Sequence, residues 1–480
     1  MSRRYRYDCV IIGGGAAGLT AAKLANGLGK RVALVEKHRL GGDCTLTGCV
    51  PSKTIIKSAY VAYALQHAAR YGVKVKNKVE FKTESIFKHI KSVIREIYDR
   101  HAPEKLIDEG IDVIYGDATC LDKHTVAVDD KEISTQRIIL ATGSDPVIPP
   151  IDGLDTVPYL TNKTLFTIKT LPESLVVLGA GPIGLEMASA FNRLGCRVTV
   201  VEMQDHILGK EDKEIADLAE ANLCYEGVTI LKNRRAERLE EHDGTKHLLV
   251  KKDNNEEEMI KGSEVLIAVG QHPVTSGLGL DDIGVAYTKQ GVTVDAYMRT
   301  SVDTVFACGD VVGPYQFSHV AYHQAQAAAR NAFIPFFKKK ITYDHVPWIT
   351  YITPELARSG MTEQQAYDAY GENYTVYRTW YTEIDRAYTE RELRGCAKLI
   401  CDLSGYILGI HILGSHSGEI LHELHTAKHH NIRLQDIFEV IHAYPAYSDI
   451  VSNVAKKAYI DNMRRSWWYR MYRFFSGKTL

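Results

Sequence analysis

Residues 13–36 read GGGAAGLTAAKLANGLGKRVALVE, and residues 179–202 read GAGPIGLEMASAFNRLGCRVTVVE. The two stretches align without a gap, and 12 of their 24 positions are identical. Gly13, Gly15 and Gly18 in the first copy correspond to Gly179, Gly181 and Gly184 in the second. In each copy an apolar run precedes the glycines, YDCVII at 7–12 and SLVVL at 174–178, and a second apolar run ends on an acid, Glu36 or Glu202. This is a strand, a glycine turn, a helix and a strand. The first glycine makes the tight turn, the second lets backbone approach a pyrophosphate, and the third lets helix and strand pack closely. The helix N-terminus attracts the phosphates. The acid accepts from a ribose hydroxyl. One GxGxxG alone is weak evidence, but with both strands and the acid in place it is strong. Chance likeness between two ordinary units does not account for the shared glycines and acid. The chain therefore carries two dinucleotide sites. A carboxylate at Glu202 repels a 2′-phosphate, so the second site favours NADH over NADPH.

Immediately beyond the first copy lies GGDCTLTGCVPSK, residues 41–53, with Cys44 and Cys49 separated by four residues. Positions five apart in a regular helix have Cα atoms roughly 8.6 Å apart. A disulfide needs them within about 7 Å. The pair closes only if the first turn is distorted, and Gly41, Gly42 and Gly48 give the backbone that freedom. From Pro51 the sequence reads as a helix, whose N-terminus near Cys49 favours a thiolate. A redox dithiol beside a bound dinucleotide is the leading reading. Two free thiols in a loop, or half of a zinc site, are the alternatives.

With 480 residues, 45% hydrophobic and 24% charged, the chain has the composition of an ordinary globular protein of two to four domains. A formal net charge of −1 gives no general attraction to nucleic acid. Nine scattered cysteines do not form a secreted disulfide framework, which points to a reducing, cytoplasmic setting. No run of eighteen apolar residues is present. The first twenty-two residues have the order of a signal peptide, but a dinucleotide-binding strand explains the fixed glycine offsets better.

Between the copies, 78–100 reads as a charged helix and 112–139 as short antiparallel strands ending in RIILATGSDPVIPP. A second antiparallel patch is expected over 228–269. VFACGDVVG then places Asp310 at a strand end, followed by the helix SHVAYHQAQAAARNAF. From about residue 342 the texture becomes that of an α+β domain. In it, His422, His425 and His429 share a helical face, a spacing that admits a metal but fits a polar face better. IHAYPAYSDI, 441–450, holds His442, Tyr444 and Asp449 around a rigid proline turn. The tail from residue 456 carries seven Lys or Arg against the single acid Asp461, interleaved with aromatics. Such a segment lies in a membrane interface, packs on a partner subunit or is disordered.

Taken together, GGDCTLTGCVPSK, ATGSDP, GAGPIGLE, ACGD, TPELARSGMTE and YPAYSD resemble the flavin-dependent pyridine nucleotide-disulfide oxidoreductases, over nearly the whole chain. Within that family, which includes lipoamide dehydrogenase and glutathione reductase, the chain looks most like the mercuric-reductase branch. The resemblance implies an α/β fold with two Rossmann-like domains, for FAD and NAD, and a C-terminal α+β dimerisation domain. The expected divisions are 1–150 (FAD, first part), 151–275 (NAD(P)H), 276–341 (FAD, second part), 342–459 (dimerisation) and 460–480 (tail). By the same resemblance the chain is a homodimer, each C-terminal domain completing the partner's site. Cys44 is the thiol that meets the acceptor and Cys49 the thiol against the flavin. Lys53 and Glu186 form an ion pair beside the flavin, and Asp310 binds its ribityl chain. Further cofactor contacts are implied at Ala118, Thr142, Gly143, Gly270 and Ala321.

Three departures stand out, the first two bearing on the acceptor and the third on the NAD contacts. Disulfide-reducing members carry histidine before the C-terminal proline and a glutamate downstream, where this chain has Tyr444 and Asp449. The C-terminus reads SGKTL, without a vicinal cysteine pair, and the family's AxGRxPN turn reads AVGQHPV at 268–274. The expected activity is NAD(P)H oxidation through Cys44–Cys49 to a metal ion, a quinone or another carrier, with no resident metal. The rivals are a lipoamide-type disulfide reductase using His442, and a non-enzymatic redox-sensing flavoprotein held peripherally on a membrane by its tail.

Overall fold

The computed structural model describes residues 5–76 and 82–476. Tyr7–Ile12 and Val32–Glu36 pair in parallel and are buried, as continuous β-branched runs covered on both faces require. Ile111–Tyr115 adds a parallel strand beyond Val32–Glu36. On the other side, Lys131–Leu140 pairs in parallel with Tyr7–Ile12, and Val305–Ala307 extends that edge. The helices Ala16–Gly27 and Ser318–Phe333 pack on this sheet through small side chains, among them Ala21, Ala25, Ala325 and Ala328, all fully buried.

The antiparallel reading of 112–139 holds only for its middle. Ala118–Asp122 and Thr125–Val128 hang in antiparallel pairing from the first half of Lys131–Leu140. Its outer strands join the parallel sheet, and in the last of them Ile138, Ile139 and Leu140 are buried on both faces in succession. The patch at 228–269 is corrected in the same way. Arg234–His242, Thr245–Lys252 and Glu257–Gly262 form an antiparallel sheet. Thr229–Leu231 and Glu264–Ile267 instead join a second parallel sheet with Arg197–Val201 and Ser174–Leu178. The charged helix expected at 78–100 spans Thr83–Tyr98; residues 78–81 lie outside the described residues.

The third lobe is a five-stranded antiparallel sheet in the order Pro347–Thr350, Leu356–Gly360, Ile407–Leu413, Cys396–Asp402, Tyr374–Trp380. The helices Ser417–His429 and Asp449–Arg465 pack against it. This lobe is tied to the second by a buried ion cluster. Lys398 Nζ lies 2.7 Å from Asp212, 2.9 Å from Glu214 and 2.7 Å from Glu363. Among the described residues, no helix is long and apolar enough to cross a membrane.

Candidate active site

The Cys44–Cys49 segment is two helices with a break between them. Cys44 lies in the short helix Gly42–Leu46, and Cys49 opens the long helix Cys49–Gln66. Gly41 and Gly42 adopt left-handed backbone with φ +100° and +56°. A Cβ on Gly48 would stand 2.8 Å from the Asp43 carbonyl oxygen, so the break needs glycine there. This is the distortion that the spacing demands, and the long helix begins two residues earlier than the sequence reading placed it.

Both cysteines are free thiols, and Cys49 is the more exposed. The two are unequal acids. A hydrogen bond from the Cys44 thiol, then the Ser318 hydroxyl and the Lys53 ammonium, bring Cys49 down to about 6 against the burial that opposes them. The same hydrogen bond, with burial, pushes Cys44 up. The Cys49 sulfur lies 3.6 Å from Ser318 Oγ, at the start of the helix Ser318–Phe333. Tyr322, one turn further, faces both cysteines closely enough that their charge raises its phenol after burial. Lys53 Nζ is 2.8 Å from the buried Glu186 Oε2, whose other oxygen accepts from the Tyr351 N–H at 2.9 Å. Lys53 also stands 4.5 Å over the Tyr351 ring. Ser318, Tyr322 and Tyr351 were not singled out from the sequence. They lie some three hundred residues from the cysteines, and no local motif marks them.

The glycine turns fit dinucleotides. A Cβ on Gly18 would lie 1.7 Å from the Gly13 oxygen, and one on Gly184 2.1 Å from the Gly179 oxygen. Gly13 and Gly179 have φ +104° and +101°. Gly15 and Gly181 are the last residues before the helices Ala16–Gly27 and Pro182–Arg193; a Cβ on Gly181 would meet nothing within 4 Å, and one on Gly15 would meet only the Gly42 Cα at 3.7 Å. Glu36 accepts from the Gly14 N–H at 2.7 Å and the His38 N–H at 2.8 Å. Glu202 does the same for Ala180 at 2.7 Å and Gln204 at 2.9 Å. The two copies thus share geometry as well as letters. Asp310, whose carboxyl burial raises, lies 3.0 Å from Ser144 Oγ, which also meets Gln271 at 2.6 Å. Gly143, one residue away, has φ +76°, while the Thr142 hydroxyl donates to the Val274 carbonyl. Val147 N–H bonds the Gly270 oxygen; Ala321 is buried in the helix after Asp310, and Ala118 begins an antiparallel strand.

The C-terminal residues stand apart from the dithiol within one chain. Tyr444 is 72% exposed and donates to Asp385 Oδ2 at 2.6 Å. His442 Nε2 meets Glu423 at 2.8 Å, and its Nδ1 meets the Val440 carbonyl at 2.9 Å. Asp449 accepts from the Ala446 N–H at the head of its own helix. Among the described residues, none of the three hydrogen-bonds to either cysteine. Among the described residues, no three His, Cys, Asp or Glu side chains converge, at the histidine face 422–429 or elsewhere. His425 bonds Ser359, and His429 packs on His345.

Residues 7–332 match the family model for pyridine nucleotide-disulphide oxidoreductases, and residues 346–455 match that family's dimerisation domain. The chain is 31% identical over 443 residues to mercuric reductase of Lysinibacillus sphaericus, covering 91% of this chain and 80% of that protein. It is 30% identical over 452 residues to dihydrolipoyl dehydrogenase of Bacillus subtilis (strain 168), covering 92% and 96%. Among solved structures, the Cu(II) complex of the HOCl-induced flavoprotein disulfide reductase RclA from Escherichia coli aligns with a TM-score of 0.83 at 29% identity, covering 94% of this chain and 99% of that one. The paired glycine cradles, the adjacent dithiol and these matches agree: the chain belongs to the pyridine nucleotide-disulfide oxidoreductases, NAD(P)H-dependent enzymes that use FAD and a redox-active cysteine pair.

Proposed function

We propose that this homodimeric flavoenzyme oxidises NADH and passes the electrons through Cys44 and Cys49 to a metal ion, Cu(II) or Hg(II). The observation that carries the reading is Tyr444. It occupies the position where disulfide-reducing members hold a histidine. A phenol ionises near pH 10, and the hydrogen bond to Asp385 pushes Tyr444 higher still. It keeps its proton at neutral pH and does not serve as base for a dithiol. The mercuric reductase relatives and the Cu(II) complex of the structural neighbour support a metal acceptor.

When bound, NADH supplies a hydride and FAD relays its two electrons to the disulfide. The chain's own residues prepare the path. Glu36 and Asp310 hold FAD, and Glu202 holds the NADH ribose. Lys53, neutralised by Glu186, stabilises the Cys49 thiolate. Cys44, which keeps its proton, meets the acceptor. Oxidation of this thiol–thiolate pair to the disulfide releases two electrons and the one proton of Cys44, enough to reduce two Cu(II) ions to Cu(I) or one Hg(II) to the metal.

The test is steady-state NADH oxidation with Cu(II), Hg(II), a quinone and lipoamide. Metal ions are expected to sustain turnover, and lipoamide to run slower by roughly a hundredfold or more, the usual contribution of a missing general base. Metal-dependent oxidation that survives Cys44→Ser sinks the proposal. The hydrogen-bonded His442–Glu423 unit favours one second reading, a disulfide reductase with His442 as base. Brisk lipoamide turnover that collapses in His442→Ala supports it.

A further inference from the structure

The helix Trp467–Ser476 is not used by the chemistry above. It follows the helix Asp449–Arg465 across Ser466, whose backbone is extended (φ −65°, ψ 145°). It also begins after the dimerisation-domain match, 346–455, has ended. Trp467, Met471, Phe474 and Phe475 are spaced by four, seven and eight residues, so they share one face. They are 60%, 44%, 83% and 80% exposed. A soluble surface rarely presents so many large apolar side chains side by side unless something covers them.

The charge identifies the cover. Asp461 is paired with Arg465 at 2.8 Å. Beyond it, residues 462–480 hold no acid and five cations: Arg464, Arg465, Arg470, Arg473 and Lys478. Residues 477–480 lie outside the described residues. Aromatic and thioether groups on one face, with tyrosine and arginine on the other, are the composition of a helix lying in a lipid headgroup region. A protein pocket would meet this charge with a few placed carboxylates; a sheet of anions meets it wherever it lands. We infer that Trp467–Ser476 lays the enzyme on an anionic lipid surface.

The experiment is co-sedimentation of the full-length holoenzyme with vesicles of phosphatidylcholine alone or mixed with phosphatidylglycerol. Binding is expected only to the anionic vesicles, to weaken with added salt, and to vanish when residues 467–480 are deleted. Arg464→Gln should lower the partition by roughly fivefold, the worth of one basic residue near such a surface. Phe474→Ser with Phe475→Ser should lower it further. FAD content and NADH oxidation in solution are expected to be unchanged in these variants, which separates the inference from the choice of acceptor. Failure of the full chain to bind anionic vesicles overturns the inference. So does undiminished binding by the deletion, or a deletion that turns the dimer into monomers, which would make this face a subunit contact.

Discussion

Cys49 and Cys44 differ in acidity because one proton is shared unevenly between them. The Cys44 thiol donates, and the Ser318 hydroxyl and Lys53 ammonium reinforce the charge on Cys49. As pH rises, the Cys49 thiolate should therefore form with a midpoint near 6 in the reduced enzyme, read by its ultraviolet thiolate absorbance. Cys44→Ala removes the largest of these stabilising contacts and should move that midpoint up, back toward the ordinary thiol range. Lys53→Met should move it up less. A midpoint that stays near 6 in Cys44→Ala would show that the thiolate is held by other means. The sequence marked both cysteines, Lys53 and Glu186. It did not mark Ser318, because a serine opening a helix carries no label for what it will face.

The glycine turns show how one motif divides its labour. Gly184 is closed in by backbone, its would-be Cβ 2.1 Å from the Gly179 oxygen. Gly181 has extended backbone (φ −79°, ψ 179°) and nothing of the protein within 4 Å of a Cβ. Gly184→Ala should therefore lower stability by about 1–3 kcal/mol through overpacking, read in chemical denaturation. Gly181→Ala should fold normally and raise KM for NADH by roughly tenfold, the equivalent of about 1.4 kcal/mol. Equal loss of stability in both variants would contradict this division. Local pattern found these units because their glycine offsets and apolar strands are set within some twenty-five residues. It misassigned the strands at 111–115, 229–231 and 264–267. A short apolar run reads alike in parallel and antiparallel sheets, and only its neighbours settle the pairing.

The lobes are joined by charge taken out of water. Lys398 and Asp212 have side chains only 2% and 3% exposed, so removing one partner strands the other. Lys398→Met should cost about 3–5 kcal/mol in thermal or chemical unfolding. Nearby His411 is fully enclosed, and burial pushes it down to about 4. The unfolded chain binds that proton near pH 6.5, so it holds more protons than the native state between 6.5 and 4. Stability should accordingly fall as pH drops through that window, by about 3 kcal/mol from this one group, and the slope should flatten in His411→Asn. Asp212 acts in the same direction at lower pH. Burial would raise its carboxyl, but the His411 ring, Lys398 and the Glu363 N–H hold it below the usual range. Its contribution is present above the ordinary carboxylate pKa and lost on acidification below it.

The sequence by itself determined the two nucleotide-binding units, the dithiol that follows the first, and the family they belong to, because each is written in short-range spacing that backbone sterics enforce. Tertiary structure alone decided which distant groups surround that dithiol. It also decided that Tyr444 pairs with Asp385 while His442 pairs with Glu423, and that Lys398 is enclosed by Asp212, Glu214 and Glu363. The Cys49–Ser318 contact alone joins positions 269 residues apart. Such contacts exist because elements distant in sequence pack together, and no local rule of the chain specifies which side chains then meet.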